Sequence, residues 1–154
     1  MIDEAGDPAV IEFNVRFGDP ETQPLMVRME GDLLPVLDAA ARGTLDPSTA
    51  LGWGEAAVCV VLASGGYPRS YETGKAISGL GALEGDDGLV VFHAGTSGSA
   101  DGDDFATAGG RVLGITARGA DVAEARARAY AAVEGVSFEG MHLRRDIADR
   151  ALGR

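Results

Sequence analysis

The stretch Val10–Phe17 constrains this chain more than any other: Ile11, Phe13, Val15 and Phe17 alternate with Glu12, Asn14 and Arg16. Successive side chains of a strand point to opposite faces, so strict alternation predicts a half-buried strand with one apolar face. The other face carries a carboxylate, an amide and a guanidinium in one row, with neighbours about 7 Å apart at a rise of about 3.3 Å per residue. Such a row is either the solvated outer face of an ordinary strand or the wall of a metal-nucleotide site. For the second, Glu12 and Asn14 offer the hard oxygens that Mg²⁺ prefers. Arg16 offers a planar fork of donors fitted to phosphate or carboxylate. Glu-x-Asn-x-Arg alone is too short to choose between the two.

The flanks set this strand in context. Met1-Ile2-Asp3 runs into Glu4-Ala5-Gly6-Asp7-Pro8, a turn-forming run. That implies a hairpin whose first strand has about three residues, fewer than useful strands usually have. The expectation is that the chain starts in the middle of a domain. Gly18-Asp19-Pro20 then breaks the key strand. Glu21 to Arg42 is predicted as a helix, because Leu25, Met29, Leu33, Val36, Leu37 and Ala40 recur near a 3.6 period. Asp19 is its expected N-cap, with Pro20 at the first helical position and Glu21 adding negative charge to the first turn. Pro35 is expected to kink or split the helix, and Gly43 to cap its end.

Leu45 to Glu55, with Asp46, Pro47, Ser48, Gly52 and Gly54, is predicted as a linker, and the pattern beyond it is β-rich. Ala56–Ala63 is a continuous apolar strand. Ala76–Leu80, Leu89–Ala94 and Arg111–Thr116 are further strands, the last preceded by Phe105-Ala106-Thr107. Glu84–Gly88 and Ser97–Asp104 are expected as exposed hairpin tips. Asp121 should cap a helix from Val122 to Glu134 with Val122, Ala125, Ala129 and Val133, joined by Tyr130, on its apolar face. Glu124 and Arg128 stand at i,i+4 in the favourable order. Phe138–Leu152 is a short amphipathic tail.

A length of 154 residues allows one ordinary domain or a small domain with an appendage. The net charge of −11 argues against nucleic acid as a partner, because phosphate binding rests on Lys and Arg. No apolar run approaches the ~18 residues of a membrane span, and no signal peptide is legible. Cys59 is the one cysteine. A disulfide within the chain is therefore excluded, a cytoplasmic setting is expected, and Cys59 reads as a small buried hydrophobe.

The remaining candidates are weaker. Ser64-Gly65-Gly66-Tyr67-Pro68 is either a sharp turn after a strand or a loop whose glycines let backbone approach a ligand. It lacks the Lys-Ser/Thr ending of a phosphate-binding Walker loop. His93 and His142 are far apart in sequence and give no zinc spacing, and His93 reads as a hydrogen-bonded structural histidine. Arg111, after Gly109-Gly110, either reaches an anion or makes a strand-edge or interdomain salt bridge. Arg144-Arg145 reads as a pairing surface for acidic neighbours.

Residues 12–24, Glu12-Phe13-Asn14-Val15-Arg16-Phe17-Gly18-Asp19-Pro20-Glu21-Thr22-Gln23-Pro24, resemble almost letter for letter the signature near the end of the ATP-grasp part of the glycinamide ribonucleotide synthetase (phosphoribosylamine–glycine ligase) family. Further matches follow in order: Ala57–Pro68, Val91–Thr96, Gly109–Gly114, Phe138-Glu139-Gly140 and Arg144–Ile147. The likeness covers nearly the whole chain but only about the last third of the family's length. Met141-His142-Leu143, where aromatic residues are usual, and the acidic Ser97–Asp104 depart from the pattern. A biotin-carboxylase-like relative fits less well, because Gly18–Thr22 does not match that family's continuation.

The resemblance implies an α+β fold: the last β-hairpin and helix of an ATP-grasp domain (residues 1–44), a linker (45–55) and a small β-rich C-terminal domain (56–154) with one or two helices. It implies a ligase that joins glycine to 5-phosphoribosylamine through glycyl phosphate in de novo purine synthesis, with ATP as co-substrate. Glu12 and Asn14 carry over as Mg²⁺ or Mn²⁺ ligands, and Arg16 as a contact to the transferring phosphoryl group or the glycine carboxylate. Gly18, Asp19 and Pro20 carry over as part of the glycine and phosphoribosylamine pocket. The preATP-grasp domain and ATP-grasp lobes would lie before Met1, so the chain alone is expected to be inactive. The alternative is a stand-alone, non-catalytic binding or interaction module derived from such a ligase.

Overall fold

The computed structural model describes residues 1–2, 4–12, 15–98 and 104–153. Their elements run α1 (Thr22–Arg28), β1 (Met29–Glu30), α2 (Leu33–Ala41), β2 (Gly52–Trp53), β3 (Ala56–Ala63), β4 (Ala76–Ile77), a 3₁₀ turn (Leu80–Leu83), β5 (Leu89–His93), β6 (Thr96–Gly98), β7 (Phe105–Thr107), β8 (Arg111–Gly119), α3 (Val122–Glu134) and a second 3₁₀ turn (Asp149–Leu152). The fold class is α+β, as expected.

The apolar run Ala56–Ala63 forms β3, which pairs antiparallel with β8; β5 pairs with the other edge of β8. Residues opposite each other in the ladder share a face. Val58, Val60 and Leu62 stand opposite Ala117, Ile115 and Leu113. With Val112 they meet Ala125, Ala129 and Val133 of α3 in one buried cluster, closed by Val136 and Phe138. Val60, Leu62 and Ile115 are fully buried. Alanines at two of the three buried α3 positions let that helix lie close to the sheet. Asp121 caps α3 by accepting from Glu124 N at 2.9 Å. A smaller sheet has the order β4-β7-β6, and Ser78, just after β4, is bridged to Ser137.

Several elements differ from expectation. Residues 10–12 and 15–17 are not strand. Phe13 and Asn14 lie outside the described residues. A strand needs a paired neighbour for its backbone groups, and among the described residues no strand pairs with this stretch. Val15 is 88% exposed, and Val10, Ile11 and Phe17 are also exposed. The hairpin before it reduces to an isolated bridge, Ile2 to Pro8. The helix predicted over Glu21–Arg42 is two helices that part at Gly31-Asp32, not at Pro35. Gly31 adopts φ +102°, which a side chain disfavours. Asp32 caps α2 by accepting from Leu34 N at 2.9 Å. Pro35 then falls in the first turn of α2, where its missing N–H has no partner to lose.

Asp19 is not the cap of α1; Glu21 occupies that position without a side-chain cap bond. Gly18 O accepts from Thr22 N at 2.8 Å and from Thr22 Oγ1 at 2.6 Å, which leaves the Asp19 carboxylate to other partners. Within the predicted linker, Gly52–Trp53 returns to pair with Met29–Glu30. β8 runs three residues past Thr116, and the strand predicted over Ala76–Leu80 gives way to a 3₁₀ turn. Glu124 and Arg128 do not pair. Glu124 Oε2 accepts from Ala120 N at 2.8 Å, and Arg128 donates to Arg118 O at 2.9 Å and to both Asp86 carboxylate oxygens. Of the predicted loop Ser97–Asp104, residues 99–103 lie outside the described set.

Candidate functional site

The sheet face opposite α3 carries Ala57, Cys59, Val61 and Ala63, with Arg118, Thr116, Gly114 and Arg111 opposite them across the ladder. Small side chains there let other segments approach. A cleft of about 270 Å³ has Cys59, Val61 and Ala63 on its floor and Pro20, Tyr67, Arg111, His142, Arg144 and Ile147 among its walls. The tail reaches it because His142 pairs with Ala63 at the end of β3, N to O at 2.9 Å and O from N at 2.8 Å. A wider cleft of about 660 Å³ lies beside it, lined by Arg16, Glu21, Pro24, Leu25, Arg28 and Ala57.

Arg111 joins the two halves of the chain. Its Nη1 donates to Asp19 O at 3.0 Å, and its Nη2 pairs with Asp19 Oδ2 at 3.1 Å. The other carboxylate oxygen of Asp19 accepts from Gln23 Nε2 at 3.1 Å. Of the two readings left open for Arg111, the salt bridge is the one formed. Arg111 is itself set by Ser64, whose N donates to Gly110 O and whose Oγ donates to Gly109 O, each at 2.8 Å. Tyr67 lies against Gly110 so closely that any side chain there would collide with its ring.

The Ser64–Pro68 stretch is a turn: Tyr67 N donates to Ser64 O at 3.1 Å and Arg69 N to Gly66 O at 2.9 Å. Ser64 is a supporting residue that sequence reading placed in the turn without giving its hydroxyl a role. Its one visible signal is a hydroxyl at the end of an apolar strand, and its partner lies 45 residues away.

Of the predicted site residues, Gly18, Asp19 and Pro20 form one turn against Arg111, Arg16 stands on the wider cleft, and Glu12 is exposed and lines neither cleft. Asn14 lies outside the described residues. Among the described residues, no three His, Cys, Asp or Glu side chains gather as a metal cluster.

Cys59 is buried, and burial pushes its thiol above the usual value, with Asp19 adding to the effect and the Thr116 hydroxyl opposing it. A protonated, buried thiol is a poor nucleophile, as its placement in an apolar run suggested. His93 Nδ1 lies 3.0 Å from Thr96 Oγ1 and its ring packs, tilted by 45°, on Phe105 at 4.4 Å, a structural role. Arg144 pairs with Asp146, its Nε to Oδ1 at 2.9 Å. Among the described residues, no helix is long and apolar enough to cross a membrane.

Residues 57–150 match the family model described as phosphoribosylglycinamide synthetase, C domain. Over 148 residues the chain is 55% identical to phosphoribosylamine–glycine ligase of Phenylobacterium zucineum, covering 96% of this chain and 34% of that protein. It is 52% identical over 155 aligned positions to the enzyme of the same name from Escherichia coli O157:H7, covering 100% of this chain and 35% of that one. The crystal structure of phosphoribosylamine–glycine ligase from Thermotoga maritima superposes with a TM-score of 0.72 at 36% identity, covering 95% of this chain and 34% of that one. The chain thus spans about a third of the length of the curated relatives it matches. With a shared fold, a family match across most of its length and identity above one half to such relatives, the chain belongs to the phosphoribosylglycinamide synthetase C-domain family.

Proposed function

We propose that this chain is the C-terminal part of an ATP-dependent ligase that joins glycine to 5-phosphoribosylamine in purine biosynthesis. In this reading residues 1–44 end an ATP-grasp domain, 45–55 link, and 56–154 form the C-terminal domain, in a cytoplasmic enzyme. The observation that carries it is sustained identity: 52% along the whole chain to a relative named phosphoribosylamine–glycine ligase.

The chemistry has two steps. A glycine carboxylate oxygen attacks the γ-phosphorus of ATP, giving glycyl phosphate and ADP. The amine of phosphoribosylamine then attacks the acyl carbon, phosphate leaves, and the amine gives up a proton as the amide forms. Phosphoryl transfer depends mostly on positioning and charge stabilisation. Arg16 would oppose the negative charge of the transferring phosphoryl group or hold the glycine carboxylate. The Gly18-Asp19-Pro20 turn would wall the glycine and phosphoribosylamine pocket. Glu12 and Asn14 would offer hard oxygens that suit Mg²⁺ or Mn²⁺ when substrate phosphates complete the shell. When bound, the ion supplies charge neutralisation at those phosphates.

The chain spans about a third of its relatives' length, so by itself it should form no ADP. The test is a hybrid in which the chain replaces the matching C-terminal third of the Escherichia coli relative. Expected is glycine- and phosphoribosylamine-dependent ADP release by the hybrid and none by the chain alone. Turnover by the chain alone would overturn the expected inactivity. A folded but inert hybrid would favour the other reading, a non-catalytic binding or interaction module, which the self-contained core beneath α3 would suit.

A further inference from the structure

The geometry points to Arg111 as a positioning residue: from the first position of β8 it sets the Asp19-Pro20 turn, so that the Asp19 carboxylate is a strut and not a substrate contact. This rests on the ligase reading above, in which that turn walls the substrate pocket.

Asp19 has three acceptor sites on the page, and all three are occupied from within the chain. Arg111 takes the backbone carbonyl at 3.0 Å and Oδ2 at 3.1 Å, and Gln23 takes Oδ1 at 3.1 Å. Each carboxylate oxygen thus already has a partner within the chain, which fixes the direction of the group. The ion pair is half-exposed, at 40% and 46% for the two side chains, and exposed pairs add little to stability. Its consequence is therefore geometric. The planar guanidinium fork fixes direction as well as distance, and it stands at the start of β8, whose next residues are buried in the core.

Arg111 follows Gly109 and Gly110, whose carbonyls are both held by the buried Ser64, and precedes the fully buried Val112. The contact spans 92 residues of sequence. It links the central sheet directly to the turn, leaving Pro20 facing the cleft.

The test uses Arg111→Ala, Arg111→Lys and Asp19→Asn in the hybrid ligase and in the 154-residue chain. In the hybrid, Arg111→Ala should raise KM for glycine and phosphoribosylamine about tenfold, with KM for ATP unchanged, as expected when charge-assisted hydrogen bonds that orient a pocket are lost. Arg111→Lys keeps the charge without the fork and should fall between, at about threefold. Asp19→Asn added to Arg111→Ala should cost less than about twofold more, because the ion pair it would break is already gone. Unchanged KM values, or effects of the two substitutions that multiply, would overturn the strut.

An inert wild-type hybrid would instead sink the ligase reading. The strut is then judged on the chain alone by amide chemical shifts. Arg111→Ala should move Gly18, Asp19 and Gln23 while leaving α3 in place, and unmoved shifts at those three positions would overturn it.

Discussion

Residues 56–153 and residues 1–53 carry comparable apolar patterns and end in opposite states. In the first region, every second residue of the continuous apolar run in β3, Val58, Val60 and Leu62, faces α3 and is buried. In the second, the alternation along residues 10–17 delivers Val15 to solvent, and neither α1 nor α2 contains a buried residue. Patterning assigns side chains to a face. It becomes a core only where another element covers that face, and among the described residues nothing covers the apolar side of the N-terminal segment. Near the candidate site the two regions are tied by a polar contact, Arg111 on Asp19, beside the packing of α1 on β3 and β8.

The largest expected difference between the regions lies in core truncation. Leu62→Ala should destabilise by about 2–5 kcal/mol, the range for large-to-small changes in a packed interior. Val15→Ser should stay within about 0.5 kcal/mol, as surface changes do. Urea denaturation of both variants checks this, and comparable losses would erase the contrast. Helix caps give a finer measure. Asp121→Ala should cost about 1 kcal/mol, because α3 belongs to the core. Asp32→Ala makes the same deletion on the exposed α2, which can fray without unfolding the sheet. Its effect on the global transition should be distinctly smaller.

The smallest effect is electrostatic. Asp86 is held below its usual value of 3.8, first by the hydrogen bonds from Arg128 and then by Gly88 N–H. A depressed carboxyl stabilises the fold above its unfolded pKa and loses that contribution as pH falls through the lower folded value. Stability of the wild-type chain should therefore decline below pH 3.8 more steeply than that of Arg128→Ala. Thermal denaturation against pH, with the Asp86 carboxyl followed by NMR, measures both slopes. Parallel curves would show that Arg128 acts only through Arg118 O.

Where interactions are local or strongly patterned, reading the chain succeeded. The run Ala56–Ala63 and the helix Val122–Glu134 with its Asp121 cap are found at the expected residues. It failed where a residue had a choice of partners. Pro35 looked like a helix breaker until Gly31-Asp32 broke the helix first. Glu124 and Arg128 were well spaced for each other, yet each found a backbone or loop partner better placed in three dimensions. At the candidate site, the turn 18–20 and Arg111 were visible as separate features. Their union was not, because no local period links residues so far apart.

The sequence by itself determined the family, the α+β class and which strand faces are apolar, because those depend on residue order and on the periods of two and 3.6. Only the tertiary structure decided which apolar face becomes interior, which of several acceptors a guanidinium takes, and that Ser64, Arg111 and Asp19 form one chain of contacts. Those outcomes depend on which segments the folded sheet brings within about 3 Å of one another, a distance that hydrogen bonds require and that spacing along a chain does not encode.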